Sequence, residues 1–221
     1  MKNPFRIIAF VSTVLSLIFF LVISRNLLTL RENQLYIYES LSELLLSTSL
    51  ALLIISCYLS DCSNDTKDFK TNYKLILVFG IIGFIIIFFV DEFSAFIASL
   101  VNIGEATNQQ TIVDQLHRNG AVFVIISSVI VAPILEELIF RKVLFKIIKN
   151  GKVALVVSSL LFGLMHLVSE PSFLSGMIHG ISYIGAGFVF GLIYLKTKKN
   201  VYTPIIAHFL TNVLALILIF T

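Results

Sequence analysis

Two adjacent carboxylates, Glu136 and Glu137, stand in an apolar stretch running from 121 to 140, and Arg141 follows the second by four residues. An unpaired ionisable group at bilayer depth costs about 2.5–3.5 kcal/mol on insertion scales, so acids there mark a functional site unless a partner neutralises them. Glu137 and Arg141, with the acid on the N-terminal side, are spaced for an internal ion pair. Glu136 points about 100° away around a helix and is left to face a different partner. Further polar residues interrupt later apolar stretches: His166, His179, and the pair His208 and Asn212, which are four apart and share one helical face. A desolvated glutamate beside an imidazole can activate water, and His and Asn side chains suit a developing oxyanion. Peptide-bond hydrolysis is one reaction that needs both, while buried Glu and His residues also form proton relays. Glu136, His166 and His208 also make a His2Glu set that could hold a catalytic Zn²⁺ with one open position, although the helical His-Glu-x-x-His arrangement of common zinc proteases is absent. Metal-free and metal-dependent readings both stay open.

These residues need a scaffold that can hold charge inside a membrane. The chain has 221 residues, 57% hydrophobic and 13% charged, with a mean hydropathy of +0.97, far outside the balance of a water-soluble domain. The expected fold is all-α: a polytopic transmembrane helix bundle of about seven spans, at 5–23, 41–59, 73–90, 121–140, 153–168, 173–195 and 201–220. An interfacial segment or loop at 91–120, rich in acids, separates spans three and four and is a candidate lid. The chain reads as one integral membrane domain, with N-terminal helices over 1–120 and a catalytic core over 121–221. Thirteen of the sixteen Lys and Arg fall on one side of such a bundle, leaving only Arg25, Arg31 and Arg118 on the other. The positive-inside rule then puts the N-terminus in the cytoplasm of a multi-pass plasma-membrane protein. Basic residues distributed in this way describe topology, so nucleic acid is not an expected partner; the lipid bilayer is.

Local signals refine this picture. Lys2 and Arg6 ahead of the first apolar run resemble a signal peptide, but no small-residue cleavage site follows, so the run is expected to be a retained helix. Pro133 removes a backbone donor and should kink the fourth helix beside Glu136. A turn at Asn150-Gly151 puts Glu136 and His166 at matching depth on antiparallel helices. Thr203 as N-cap with Pro204 behind it starts the last helix close to His208, so that helix must begin within the membrane. Gly176 with Gly180, and Gly187 with Gly191, allow close helix packing. His179 is expected to be a hydrogen-bonded packing residue. Ser127, Ser128, Ser158 and Ser159 are expected to bond to backbone. Cys57 and Cys62, the second in a polar loop, are expected to be structural thiols.

Taken in order, Glu136-Glu137-x-x-x-Arg141, Phe162-x-x-x-His166 and His208-x-x-x-Asn212 resemble the three motifs of the CPBP family, the CAAX proteases and bacteriocin-processing enzymes also called Abi. The likeness covers about the last hundred residues. It implies an intramembrane endopeptidase acting on a peptide or protein with a membrane-associated segment, of prenyl or bacteriocin type. Glu136 and His166 would activate water, His208 and Asn212 would stabilise the oxyanion, and Glu137 and Arg141 would support them. The alternative is a non-catalytic membrane immunity or scaffold protein that binds a peptide or an envelope enzyme. In either case the polar residues are expected to converge in a wet hollow beneath the cytoplasmic surface.

Overall fold

The computed structural model describes residues 32–117 and 121–220. The expected span at 5–23 and the three outlying arginines lie outside them. The described residues form helices and turns with no strand. In chain order the helices are α1 (Glu32–Cys57), α2 (Leu59–Leu100), α3 (Thr107–Leu116), α4 (Ala121–Ile147), α5 (Gly151–Leu167), α6 (Phe173–Lys196) and α7 (Tyr202–Ile219). Five of them, α1, α2, α4, α6 and α7, are long and apolar enough to cross a membrane, and α5 is a shorter apolar helix. The chain is a multi-pass helical membrane protein.

The largest departure from expectation is α2. Its 42 residues make a rod about 63 Å long, twice the hydrocarbon thickness, so only the apolar middle can cross. The polar stretch expected as a loop after span two is helical, Cys62 included. Asn72 Nδ2 donates to Asp68 Oδ1 one turn back, at 2.7 Å, and the helix bends at Asn72 itself, where φ is −118° and ψ is 24°. At the other end Asp91 and Glu92 continue the helix to Leu100. The segment expected as interface or loop therefore begins only at Val101, with a tight turn through Asn102 at φ 54°, followed by the short helix α3.

At Pro133, where a kink was expected, the helix widens. The backbone of α4 opens into π turns over Ser127–Val131 and again over Leu138–Val143, on either side of Glu136 and Glu137. In the first of these, the Ala132 amide reaches Ser127 O, five residues back. The next amide in that register would be that of Pro133, which has none, so the Ser128 carbonyl loses its helical donor. Asn212 Nδ2 supplies one from α7, at 2.8 Å.

The turn at Asn150 forms as read: its side chain accepts from the amides of Lys152 and Val153. The start of α7 differs from expectation. Asn200 Oδ1 accepts the Tyr202 amide at 3.0 Å, whereas Thr203 donates to Thr197 Oγ1 at 2.8 Å and is a buried packing residue.

The core forms where α2, α4, α5, α6 and α7 meet, around Ile87, Phe140, Phe162, Phe190, Ile193 and Ala207. In lipid, helix association relies on close packing more than on the hydrophobic effect. Gly187 provides it: a Cβ there would sit 3.1 Å from Ser159 Cα and O on α5. The other expected pair is looser, since a Cβ at Gly176 would meet nothing nearer than 3.9 Å. Side chains such as Val78, Ile81, Ile85 and Phe89 on α2 are exposed, as a lipid-facing surface requires.

Candidate active site

The widened stretch of α4 carries two acids whose environments differ completely. Glu137 is fully buried and accepts from Arg141 Nε at 2.9 Å, the expected pair. Arg141, also fully buried, spends its remaining donors on Ser158 Oγ at 2.9 Å and Gly187 O at 3.1 Å. This ties α4 to α5 and α6 and satisfies a cation that would otherwise stand alone in an apolar interior. The second Glu137 oxygen, Oε1, lies 3.3 Å from His208 Nδ1. Glu137, fixed in place by Arg141, orients that imidazole so that its Nε2 faces the other way.

It faces Glu136. Glu136 Oε2 is 3.6 Å from His166 Nε2 and 4.0 Å from His208 Nε2. This oxygen is buried without a hydrogen-bond partner, and it is the single such side-chain atom among the described residues. Buried acceptors are nearly always satisfied. Both gaps exceed a direct hydrogen bond, and a water placed about 2.8 Å from oxygen and nitrogen would bridge either one.

Aromatic rings fix both imidazoles. Tyr183 stacks on His166 with centroids 4.7 Å apart and planes at 14°, and Phe190 stacks on His208 at 4.7 Å and 24°. Phe162, one turn before His166, contacts both histidines. None of these ring contacts was legible in the sequence, because an aromatic at helical spacing reads as core. Their only signal was Phe162, which belongs to a motif.

Glu136, His166, His208 and Asn212 all line one cavity of about 990 Å3. Glu137 and Arg141 lie behind its wall. Asn212 already gives one amide hydrogen to Ser128 O, and its Nδ2 carries a second. Ser128, Ser158 and Ser159 donate to carbonyls one turn back, as expected, and Ser127 and Ser128 also line the cavity.

The hollow lies toward one end of the bundle. Its wall is built from residues such as Asp91 of α2, Gly104 before α3, Ser127 of α4, His166 of α5, His179 of α6 and Leu218 of α7. This is the end of the bundle closed by α3 and the α5–α6 connection, opposite the basic residues and not beneath them. Here Glu170 Oε1 accepts the Thr107 amide at 2.8 Å, and its Oε2 lies 3.0 Å from His179 Nδ1 and bonds the Ser175 hydroxyl. His179 Nε2 is 3.2 Å from Gly104 O. His179 is thus hydrogen-bonded, as expected, and it also ties down the turn before α3. Burial pushes the Glu170 carboxyl up, but the donors Ser175, Thr107 and His179 more than offset this and hold it below its ordinary value of 4.5.

Glu136, His166 and His208 are donor types that zinc accepts. Among the described residues, however, no three His, Cys, Asp or Glu side chains converge on a metal position.

A helical membrane bundle with an unsatisfied glutamate, two braced histidines and an asparagine around one cavity defines the class, and the comparisons give the family. Residues 118–214 match the family described as Type II CAAX prenyl endopeptidase Rce1-like. The chain is 34% identical over 154 residues to YdiL of Bacillus subtilis, named as a candidate membrane peptidase, covering 67% of this chain and 59% of YdiL. It is 32% identical over 170 residues to the UPF0177 protein YaiH of Lactococcus lactis, covering 76% and 67%. It is 28% identical over 181 residues to the membrane-embedded CAAX protease MroQ of Staphylococcus aureus, covering 76% and 68%. The chain therefore belongs to the CPBP family of CAAX-protease-like membrane proteins. It spans only 59% of the length of YdiL, and 47% of a Mycoplasma capricolum relative. No solved structure matches it.

Proposed function

We propose that this protein is an intramembrane endopeptidase of the plasma membrane that hydrolyses a peptide bond in a peptide or protein with a membrane-associated segment. Glu136 and His166 activate the attacking water. Glu136 takes its proton as general base, and the proton passes to the leaving amine as the tetrahedral intermediate collapses. Asn212 and His208 donate to the oxyanion. Glu137, 3.3 Å from His208 Nδ1, orients the ring so that Nε2 faces the reacting group. Glu137 and Arg141 position His208 and do not touch substrate.

The observation that carries this reading is the buried, unpartnered Glu136 Oε2 between two imidazole Nε2 atoms, at the wall of a cavity large enough for several residues of a peptide. The names of MroQ and YdiL support it. The test is a comparison of the peptides released by cells carrying the wild type and cells carrying Glu136→Gln or His166→Ala, each variant checked for membrane insertion. Products present with the wild type should vanish with both variants. If both keep processing, the assignment falls and a peptide-binding or immunity role takes its place. Repeating the wild-type arm with a chelator decides whether Glu136, His166 and His208 work with a metal.

A further inference from the structure

Proline is an awkward residue for the interior of a helix, because it has no backbone N–H and its ring blocks the regular bond one turn back. Pro133 is fully buried in α4, three residues before Glu136. In a membrane bundle each backbone carbonyl normally finds its donor within its own segment. Here the Ala132 amide is bonded to Ser127 O in the π register, and the amide owed to Ser128 O is the one that proline lacks. The donor comes instead from another helix: Asn212 Nδ2 on α7, at 2.8 Å. The Ser128 side chain takes no part in this, since its hydroxyl turns back to Val124 O at 2.8 Å.

The contact does more than satisfy a carbonyl. A carboxamide can present either its oxygen or its NH2 group to a neighbour, and the two orientations have nearly the same shape. A carbonyl oxygen at hydrogen-bond distance accepts only from the NH2 group, so Ser128 O fixes which way the Asn212 amide is turned. Ser128 and Asn212 both line the cavity that holds Glu136, His166 and His208. We infer that Pro133 is a positioning residue: by withholding one backbone N–H it leaves the Ser128 carbonyl free to orient Asn212, whose second Nδ2 hydrogen then serves the oxyanion. The last step rests on the proteolytic reading; the orientation of Asn212 by a carbonyl that Pro133 frees stands on the hydrogen bonds alone. A residue with an N–H at this position would donate to Ser128 O along the helix, draw that carbonyl back toward the axis and let the Asn212 amide turn.

The test uses the full chain in lipid nanodiscs and the peptide whose release from cells depends on Glu136. Pro133→Ala and Pro133→Val both restore the N–H, the second with a side chain closer to proline in volume. Each should lower kcat, at most by the about 10²–10³-fold expected for loss of an oxyanion donor, with KM unchanged, and neither should slow Asn212→Ala any further. A backbone ester made by incorporating lactic acid in place of Pro133 lacks both the ring and the N–H, and it should recover the wild-type rate. A wild-type kcat in both N–H variants, a further loss on combination with Asn212→Ala, or an ester no faster than Pro133→Ala overturns the inference. The orientation is also read without turnover, in protein carrying isotopically labelled asparagine, by magnetic resonance of the Asn212 side-chain amide, assigned by its loss in Asn212→Ala. The proton bonded to Ser128 O should lie downfield and exchange slowly in the wild type and the ester, and should move upfield and exchange faster in Pro133→Ala and Pro133→Val. An amide signal that is the same with and without the N–H overturns the inference even where no peptide is cleaved. If Glu136→Gln leaves processing intact, the proteolytic reading falls while the amide signal still decides the role of Pro133.

Discussion

The basic end of this bundle and the end that holds the cavity solve the same problem in opposite ways. At the basic end every buried polar group is answered. Asp65 meets Lys142 and the Val201 amide, Asn200 bonds Asp65 and Asp68, and Arg141 fills its donors with Glu137, Ser158 and Gly187. Toward the other end a cavity is held open, and an acid in its wall, Glu136, has an oxygen left without a hydrogen-bond partner. One neighbour separates the two regimes: Glu137 belongs to the first and Glu136 to the second, on consecutive residues of one helix. The difference teaches that the closed network is the support against which an unsatisfied acid can be held.

Substitutions should divide along this line. The largest effect is expected for Arg141→Leu, which strands a fully buried carboxylate. Uncompensated buried charges cost about 3–5 kcal/mol, so the variant should be depleted from the membrane, read by quantitative immunoblot of membrane fractions. Glu136→Gln should lower processing by about 10²–10⁴-fold, the usual contribution of a general base, with a melting temperature equal to or above that of the wild type, since Oε2 has no hydrogen-bond partner to lose. A marked loss of stability in Glu136→Gln would erase the distinction between the two acids. Asn212→Ala should cost about 10²–10³-fold in kcat if the side chain holds the oxyanion. It also orphans the Ser128 carbonyl, so a modest drop in melting temperature should accompany the loss of rate. The smallest effect is at the α3 clamp. Because the folded Glu170 carboxyl lies below its ordinary 4.5, its contribution is complete above that pH and is lost as pH falls through the depressed value. The melting-temperature difference between wild type and Glu170→Gln should therefore be constant at neutral pH and shrink toward zero under acid conditions.

The sequence was most informative where chemistry conflicts with a membrane. Glu136, Glu137, Arg141, His166, His208 and Asn212 stand out because each is costly in an apolar run, and the i, i+4 pair with Arg141 and the depth match of Glu136 with His166 follow from helix geometry. Composition made the all-helical membrane fold legible in the same way. What stayed hidden depends on contacts distant in sequence. The polar turns of α2 read as a loop because their helix is stabilised by Asp61 and Asp65 reaching Lys146 and Lys142 far along the chain. The rings of Tyr183 and Phe190 read as packing because only the fold stacks them on histidines. The extent of the hollow was not legible because apolar runs fix span order but not where packing stops; the filled layer around Arg141 and Tyr194 decides that.

The central claim is that Glu136 and His166 act on one water as a unit. It is tested most directly by the rate of cleavage of a processed peptide by Glu136→Gln, His166→Ala and the double variant. Groups that act together are strongly non-additive, so each single substitution should remove nearly all of the rate and the double variant should be no slower than the slower single. Losses that multiply in the double variant, or a Glu136→Gln protein that keeps the wild-type rate, would contradict it.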